Sequence, residues 1–272
     1  MQMKKILFLI PNLAHGGAER VLVNLVNNMD RKKYRVTVQT LFDVGVNRKY
    51  LHPHVRYIPG YKHQLRGNSQ LMKLFSPKFL YRHLIRQKYD IVVSYLEGPT
   101  ARIISGCCEE DTKKVCWIHT EFSNLKLFKR SFRNFKEAKN AYSGFDKIAA
   151  VSNQVSDALK KRVGCAGKIT VLYNTNETEQ ILERSRECPE NKMFSNEGGI
   201  KICAVGKMIP VKGFDRLLKV HKKLLDEGFP HKIYILGIGE KEEELRSTAK
   251  KLGVSDSFIL LGFQENPYQY VS

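Results

Sequence analysis

Short β-branched or apolar runs, each followed by a turn and then an amphipathic helical stretch, recur along the whole of this 272-residue chain. That alternation calls for a parallel sheet covered by helices, so the predicted fold class is α/β. The runs predicted as strands are Lys4–Ile10, Tyr34–Leu41, Ile91–Tyr95, Lys114–Ile118, Lys147–Val151 and Ile169–Leu172. Between the first two, Val21, Leu22, Leu25, Val26 and Met29 share one helical face; Leu71, Leu74, Phe79, Leu80 and Leu84 do so more loosely.

The pattern breaks over Ser185–Gly199, a polar stretch with a proline, a glycine pair and no periodicity. It divides the chain into a first domain over 1–184, a linker over 185–199 and a second domain over 200–272. Alternation then restarts with strands at Lys201–Val205, Lys232–Leu236 and Phe258–Leu261. A helix between them carries Phe214, Leu217, Leu218, His221, Leu224 and Leu225 on one face, and another is expected near Lys241–Leu252. About 70 residues follow the boundary, fewer than most independent domains contain, so the second domain is expected to be partial. Each half opens with a strand, a glycine-bearing turn and a helix, the arrangement that aims backbone N–H groups at a phosphate.

The formal charge of +19 points to anionic partners: a nucleotide diphosphate, a phosphorylated acceptor, an anionic membrane surface or nucleic acid. The first apolar run, Ile6–Ile10, is closed by Pro11 and is too short for a signal-peptide core or a membrane span, which predicts a cytoplasmic protein. Six cysteines without a Cys-x-x-Cys pair or partnered histidine spacing support neither a zinc site nor a disulfide framework; they are expected to be reduced and mostly buried.

Three loops carry candidate chemistry. The first runs from Pro11 to Arg20 and contains Gly16, Gly17 and Glu19. Its glycines let a ligand phosphate approach the helix start, or they serve a tight turn needing positive φ; Glu19 would complement the helix dipole. In the second, His119 falls just past the carboxyl end of a strand, where open α/β sheets bind ligands. It suits a sugar hydroxyl or a proton, or fills a structural role.

The third loop holds Gly206, Lys207, Lys212, Gly213 and Asp215. Both ammonium groups can converge on one anion beside a helix N-terminus, and this is the strongest chemical constellation in the chain. One strand later comes Gly237-Ile238-Gly239, weak alone but suggestive in that position. Separately, Leu125–Lys147 mixes Lys and Arg with Phe and Leu; as a helix it would either dock on an anionic bilayer or turn its apolar residues to the core.

Taken in order, Gly16-Gly17-Ala18-Glu19, Ala150-Val151-Ser152, Val171-Leu172-Tyr173-Asn174, Gly206-Lys207 with Lys212-Gly213-Phe214-Asp215, Gly237-Ile238-Gly239 and Leu261-Gly262-Phe263 resemble the retaining glycosyltransferases of family 4, over essentially the whole chain. The resemblance implies the GT-B fold of two Rossmann-like domains, with a UDP- or GDP-sugar donor between them and UDP-sugar favoured. It implies that Lys207 and Lys212 contact the diphosphate, that Gly16, Gly17, Gly206, Gly237 and Gly239 line the donor site, and that His119 contacts the donor sugar. It implies transfer with retained anomeric configuration to a lipid-linked or polysaccharide acceptor in surface-glycan synthesis. No separate cofactor and no metal are expected, since Asp-x-Asp is absent from the sequence. A peripheral position at the inner face of the plasma membrane, through residues 125–147, goes with that reading. The family's Glu-x7-Glu motif would follow the segment equivalent to Gly262–Ser272, so a truncated chain is expected.

The alternative is a catalytically incomplete fragment acting as a binding or membrane-associating domain. A nicotinamide oxidoreductase is disfavoured because the first turn lacks Gly-x-Gly-x-x-Gly. Nucleic acid is not an expected partner, as no common nucleic-acid-binding motif is present.

Overall fold

A computed structural model describes residues 3–14, 16–63, 68–122, 124–188 and 199–271. His15 and most of the predicted linker lie outside the described residues. The chain forms two compact units, 1–176 and 177–272.

The first unit holds seven strands: β1 (Lys4–Ile10), β2 (Tyr34–Thr40), β3 (Arg56–Ile58), β4 (Ile91–Tyr95), β5 (Lys113–Ile118), β6 (Lys147–Ala150) and β7 (Ile169–Val171). They form one sheet in the order β3-β2-β1-β4-β5-β6-β7, and every pair is parallel. Helices α1 (Gly17–Asn27), α2 (Asn68–Leu71), α3 (Pro77–Leu84), α4 (Pro99–Ile104), α5 (Leu125–Lys129), α6 (Phe135–Ser143) and α7 (Asn153–Val163) connect them. The apolar runs of β1 and β4 are continuous because both faces are covered. Leu7 and Leu9 join one core cluster, Ile6, Phe8 and Ile10 the other.

Residues 71–84 do not make the single helix face expected. Ser76 caps α3 by accepting the Phe79 N–H at 3.2 Å, with Pro77 at the first helical position, so the segment is broken. Leu71, Leu74 and Phe79 face solvent, and only Leu80 is buried. In the basic stretch 125–147 the outcome is the reverse. Phe128, Phe132, Tyr142 and Phe145 are buried, with Phe128 and Phe132 each packing on the Tyr142 ring, so most of the aromatics proposed for a bilayer fill the core instead.

The second unit contains α8 (Thr178–Ser185), β8 (Ile200–Val205), α9 (Phe214–Asp226), β9 (His231–Leu236), α10 (Glu242–Lys251) and β10 (Phe258–Gly262), with a three-stranded parallel sheet ordered β10-β9-β8. Helix α8 precedes the polar stretch yet belongs to this unit. Asn266 Nδ2 donates to the Arg184 carbonyl at 2.8 Å and to Glu187 at 2.7 Å. Two of the six cysteines, Cys107 and Cys116, are buried, fewer than expected; Cys108 and Cys188 are exposed.

A buried histidine pair sits in the second unit's core. His231 Nδ1 donates to the Phe229 carbonyl at 2.7 Å, and its Nε2 shares a hydrogen bond with His221 Nδ1 at 2.8 Å. The remaining His221 nitrogen meets Ser257 Oγ at 2.9 Å. Burial, with His231 alongside, pushes His221 down to about 4. A histidine whose folded value lies below its ordinary one stabilises the fold above that ordinary value, and the contribution is lost as pH falls. The urea midpoint of the second-unit transition should therefore drop from pH 6.5 toward pH 4, and more steeply than in His221→Phe; parallel profiles would refute this.

Candidate functional site

In the first unit the strand order reverses between β1 and β4, and the crevice outside the carboxyl ends of such strands is where open α/β sheets take ligands. The loop after β1 is tightly held. Leu13 N–H donates to the Val44 carbonyl at 2.9 Å, and the Asn47 N–H donates to the Leu13 carbonyl at 3.0 Å. Gly45 has φ +136°, and a Cβ there would lie 1.9 Å from the Leu13 carbonyl carbon. Only glycine fits, a requirement that the sequence reading did not include.

Neither Gly16 nor Gly17 has positive φ, so the tight-turn explanation for the pair does not hold. Gly16 is the extended N-cap of α1 at φ −150°, and Glu19 folds back over it, as an acidic residue at the third helical position does in a capping box. A Cβ at Gly17 would meet nothing within 4 Å. No packing requirement accounts for that glycine, and the space beside it is open at the positive end of the helix dipole.

The loop after β4 is strained. Leu96 has φ +94°, and the hydroxyls of Ser94 and Thr100 both lie 2.8 Å from its carbonyl oxygen. This pose delivers Glu97, whose carboxylate accepts the His119 backbone N–H at 3.1 Å. The His119 ring lies 4.8 Å from that of Tyr95, which lies 5.3 Å from that of Trp117. Burial holds His119 below its ordinary value, with Glu97 pulling the other way, so the ring is neutral near pH 7. Burial and then the Glu19 carboxylate raise the Tyr95 phenol, which stays protonated.

Tyr95 Oη, Trp117 Nε1 and His119 Nε2 are all buried without a hydrogen-bond partner among the described residues. Leaving such groups unpaired costs about 1–3 kcal/mol each. All three lie on or just past the neighbouring strands β4 and β5, near the edge where open α/β sheets take ligands. Sequence reading found His119 but not Tyr95, Trp117 or Glu97.

In the second unit, Pro210–Lys212 form a 3-10 turn, Gly213 follows at φ +69°, and α9 begins at Phe214. The aliphatic stem of Lys212 lies over Gly206, 3.8 Å from where a Cβ would be. Lys207 and Lys212 are exposed, and neither forms an ion pair among the described residues. Two free cations thus flank the turn that leads into a 13-residue helix.

Gly237 and Gly239 have a different reason to be glycine. At Gly237, with φ +142°, a Cβ would lie 2.0 Å from the Gly206 carbonyl oxygen; at Gly239 it would lie 2.4 Å from that of Met208. The two loops run backbone against backbone, with the Met208 N–H donating to the Ile238 carbonyl at 3.1 Å. Packing accounts for these two glycines, which thereby fix the Gly206–Lys207 backbone. Among the described residues, no group of three or more His, Cys, Asp or Glu is placed to hold a metal. No described helix is long and apolar enough to cross a membrane.

Residues 15–180 match the family model "Glycosyltransferase Family 4", and residues 186–272 match "Glycosyl transferases group 1". The chain belongs to glycosyltransferase family 4. An uncharacterized glycosyltransferase of Haemophilus influenzae is 26% identical over 94% of this chain and 68% of its own length. The N-acetylgalactosamine-N,N'-diacetylbacillosaminyl-diphospho-undecaprenol 4-alpha-N-acetylgalactosaminyltransferase of Campylobacter jejuni is 23% identical over 99% of this chain and 72% of its own. Among solved structures, Anabaena HepE in complex with UDP and glucose aligns over 98% of this chain and 71% of its own, with a TM-score of 0.70 at 17% identity. The family 4 chain thus has the parallel α/β architecture of GT-B glycosyltransferases, and it is a glycosyltransferase.

Proposed function

We propose that this glycosyltransferase takes its sugar from a UDP-sugar and transfers it, with retained anomeric configuration, to a lipid-linked or polysaccharide acceptor. The observation that carries the reading is the pair of exposed lysines around Gly206, neither in an ion pair among the described residues, with the Lys212 stem laid over that glycine. Cations there neutralise the charge that develops on the leaving diphosphate as the glycosidic bond breaks, and the first turn of α9 adds N–H donors. Gly206, held by Gly237, lets the backbone approach the phosphates, and Gly17 leaves open space in the first unit. UDP is favoured over GDP by the HepE complex with UDP and glucose, and the lipid-linked acceptor by the diphospho-undecaprenol named for the Campylobacter enzyme.

Tyr95, Trp117 and His119 supply a sugar subsite, with His119 oriented through its backbone by Glu97. Tyr95→Phe removes one polar atom and keeps the ring, and Trp117→Phe removes the indole N–H while keeping an aromatic ring of smaller size. Each should raise KM for a sugar-bearing substrate about two- to tenfold, the worth of one neutral hydrogen bond, and leave UDP affinity unchanged. Equal kinetics in both variants would remove the subsite.

Calorimetric titration with UDP, GDP and NAD tests the donor. Saturable binding of UDP supports the reading; binding of NAD alone would overturn it. The anomeric configuration of the product, read by NMR, tests retention.

A further inference from the structure

We propose that the first unit docks on an anionic phospholipid bilayer through an apolar knuckle made by Leu71, Leu74, Phe75 and Phe79. Their exposures are 54%, 73%, 47% and 51%, which is unusual for four neighbouring large apolar side chains in a water-soluble surface. The knuckle is braced by ring stacking. Phe75 stacks on Phe79 with ring centres 5.2 Å apart, and Phe79 stacks on His83 at 5.9 Å.

Its backbone is prepared for a medium without water. Arg102 donates to the carbonyls of Met72 and Phe75 at 2.7 and 2.8 Å, and Arg133 donates to those of Lys73 and Leu74 at 2.5 and 3.0 Å. Four successive carbonyls are therefore satisfied from the protein side. A surface meant only for water has no need of that, because carbonyls are costly only where water is withdrawn.

Charge selects the occupant. Residues 44–89 contain ten Lys or Arg and no Asp or Glu, and residues 122–136 contain five and again none. The Arg133 bonds join these two acid-free stretches in space, so the apolar tip is rimmed by Lys73, Lys78, Arg82 and Arg133. Apolar insertion plus a cationic rim is the combination that holds a protein on an anionic interface. A second copy of this chain would bring the same positive charge to the same face and be repelled.

This surface is distinct from the 125–147 aromatics, which are mostly core. The test is co-sedimentation of the full chain with vesicles of phosphatidylglycerol and phosphatidylcholine, or of phosphatidylcholine alone, at low and high salt. The chain should bind the anionic vesicles, less at high salt, and the neutral ones weakly or not at all. Leu74→Ser with Phe75→Ser should weaken binding at least tenfold. Lys78→Gln with Arg82→Gln should weaken it by about fivefold per cation. Phe229→Ser, at another exposed phenylalanine, should bind as wild type, and circular dichroism and thermal melts establish that each variant is folded. Absence of binding by the folded chain overturns the proposal. So does wild-type binding by the Leu74/Phe75 variant, or a finding that those substitutions abolish self-association and leave lipid binding unchanged.

Discussion

Replacing Lys212 by alanine is expected to weaken UDP binding roughly ten- to 150-fold, or about 1.5–3 kcal/mol, the worth of a hydrogen bond to a charged group. The side chain is exposed and has no ion pair among the described residues, so its loss breaks no internal ion pair that could be mistaken for a binding effect. Its stem rests on Gly206, which fixes where the ammonium can reach. Lys207→Ala should act in the same direction, and the double variant should lose more than either alone. Calorimetry with UDP reads all three. An unchanged dissociation constant for Lys212→Ala, with the melting temperature also unchanged, would take that residue out of the donor site.

A larger effect, on stability this time, is expected at Arg102. This arginine is 1% exposed, with its guanidinium 2.9 Å from the Glu137 carboxylate and two further N–H groups on carbonyls of the 72–75 turn. Arg102→Leu removes one member of a buried pair and takes the arginine's donors off both carbonyls, a change that costs about 3–5 kcal/mol where such pairs have been broken. Small proteins have about 5–15 kcal/mol in total, so the variant should unfold at a much lower urea concentration. Arg102→Leu with Glu137→Leu should recover part of the loss, because the uncompensated carboxylate goes with it. No recovery would mean that the carbonyl contacts, and not the charge pair, dominate.

Most of the sheet was legible in the sequence because its central strands are buried on both faces and therefore read as unbroken apolar runs; nine strands lie within one residue of the predicted ends. Strand β3 was not legible. It is three residues long, sits just before a proline, and its half-buried edge position leaves no apolar run to read. The break at Ser76-Pro77 was present as a capping signal but was masked by leucines at plausible helical spacing, some of which point outward. At the site, charge and glycine placement exposed Lys207, Lys212 and the three loops. Tyr95 and Trp117 stayed hidden because what marks them is an absence of partners in a buried place, which no residue type encodes. Glu97 was missed for a related reason: it acts on a backbone N–H. The Gly237–Gly239 pair was read as lining a donor site; the close approach of the neighbouring loop's carbonyls, a packing need with no mark in the sequence, also requires glycine at both positions.

Leu96 shows what such an arrangement means over generations. A leucine held at positive φ costs on the order of 1–3 kcal/mol that glycine would not. Selection for heat tolerance alone would thus drift toward glycine at position 96. The loop would then lose the constraint that sets Glu97 against the His119 backbone. A sturdier chain obtained by that route would be expected to hold the Glu97 carboxylate less firmly in place, so local strain and local order are two sides of one choice of residue.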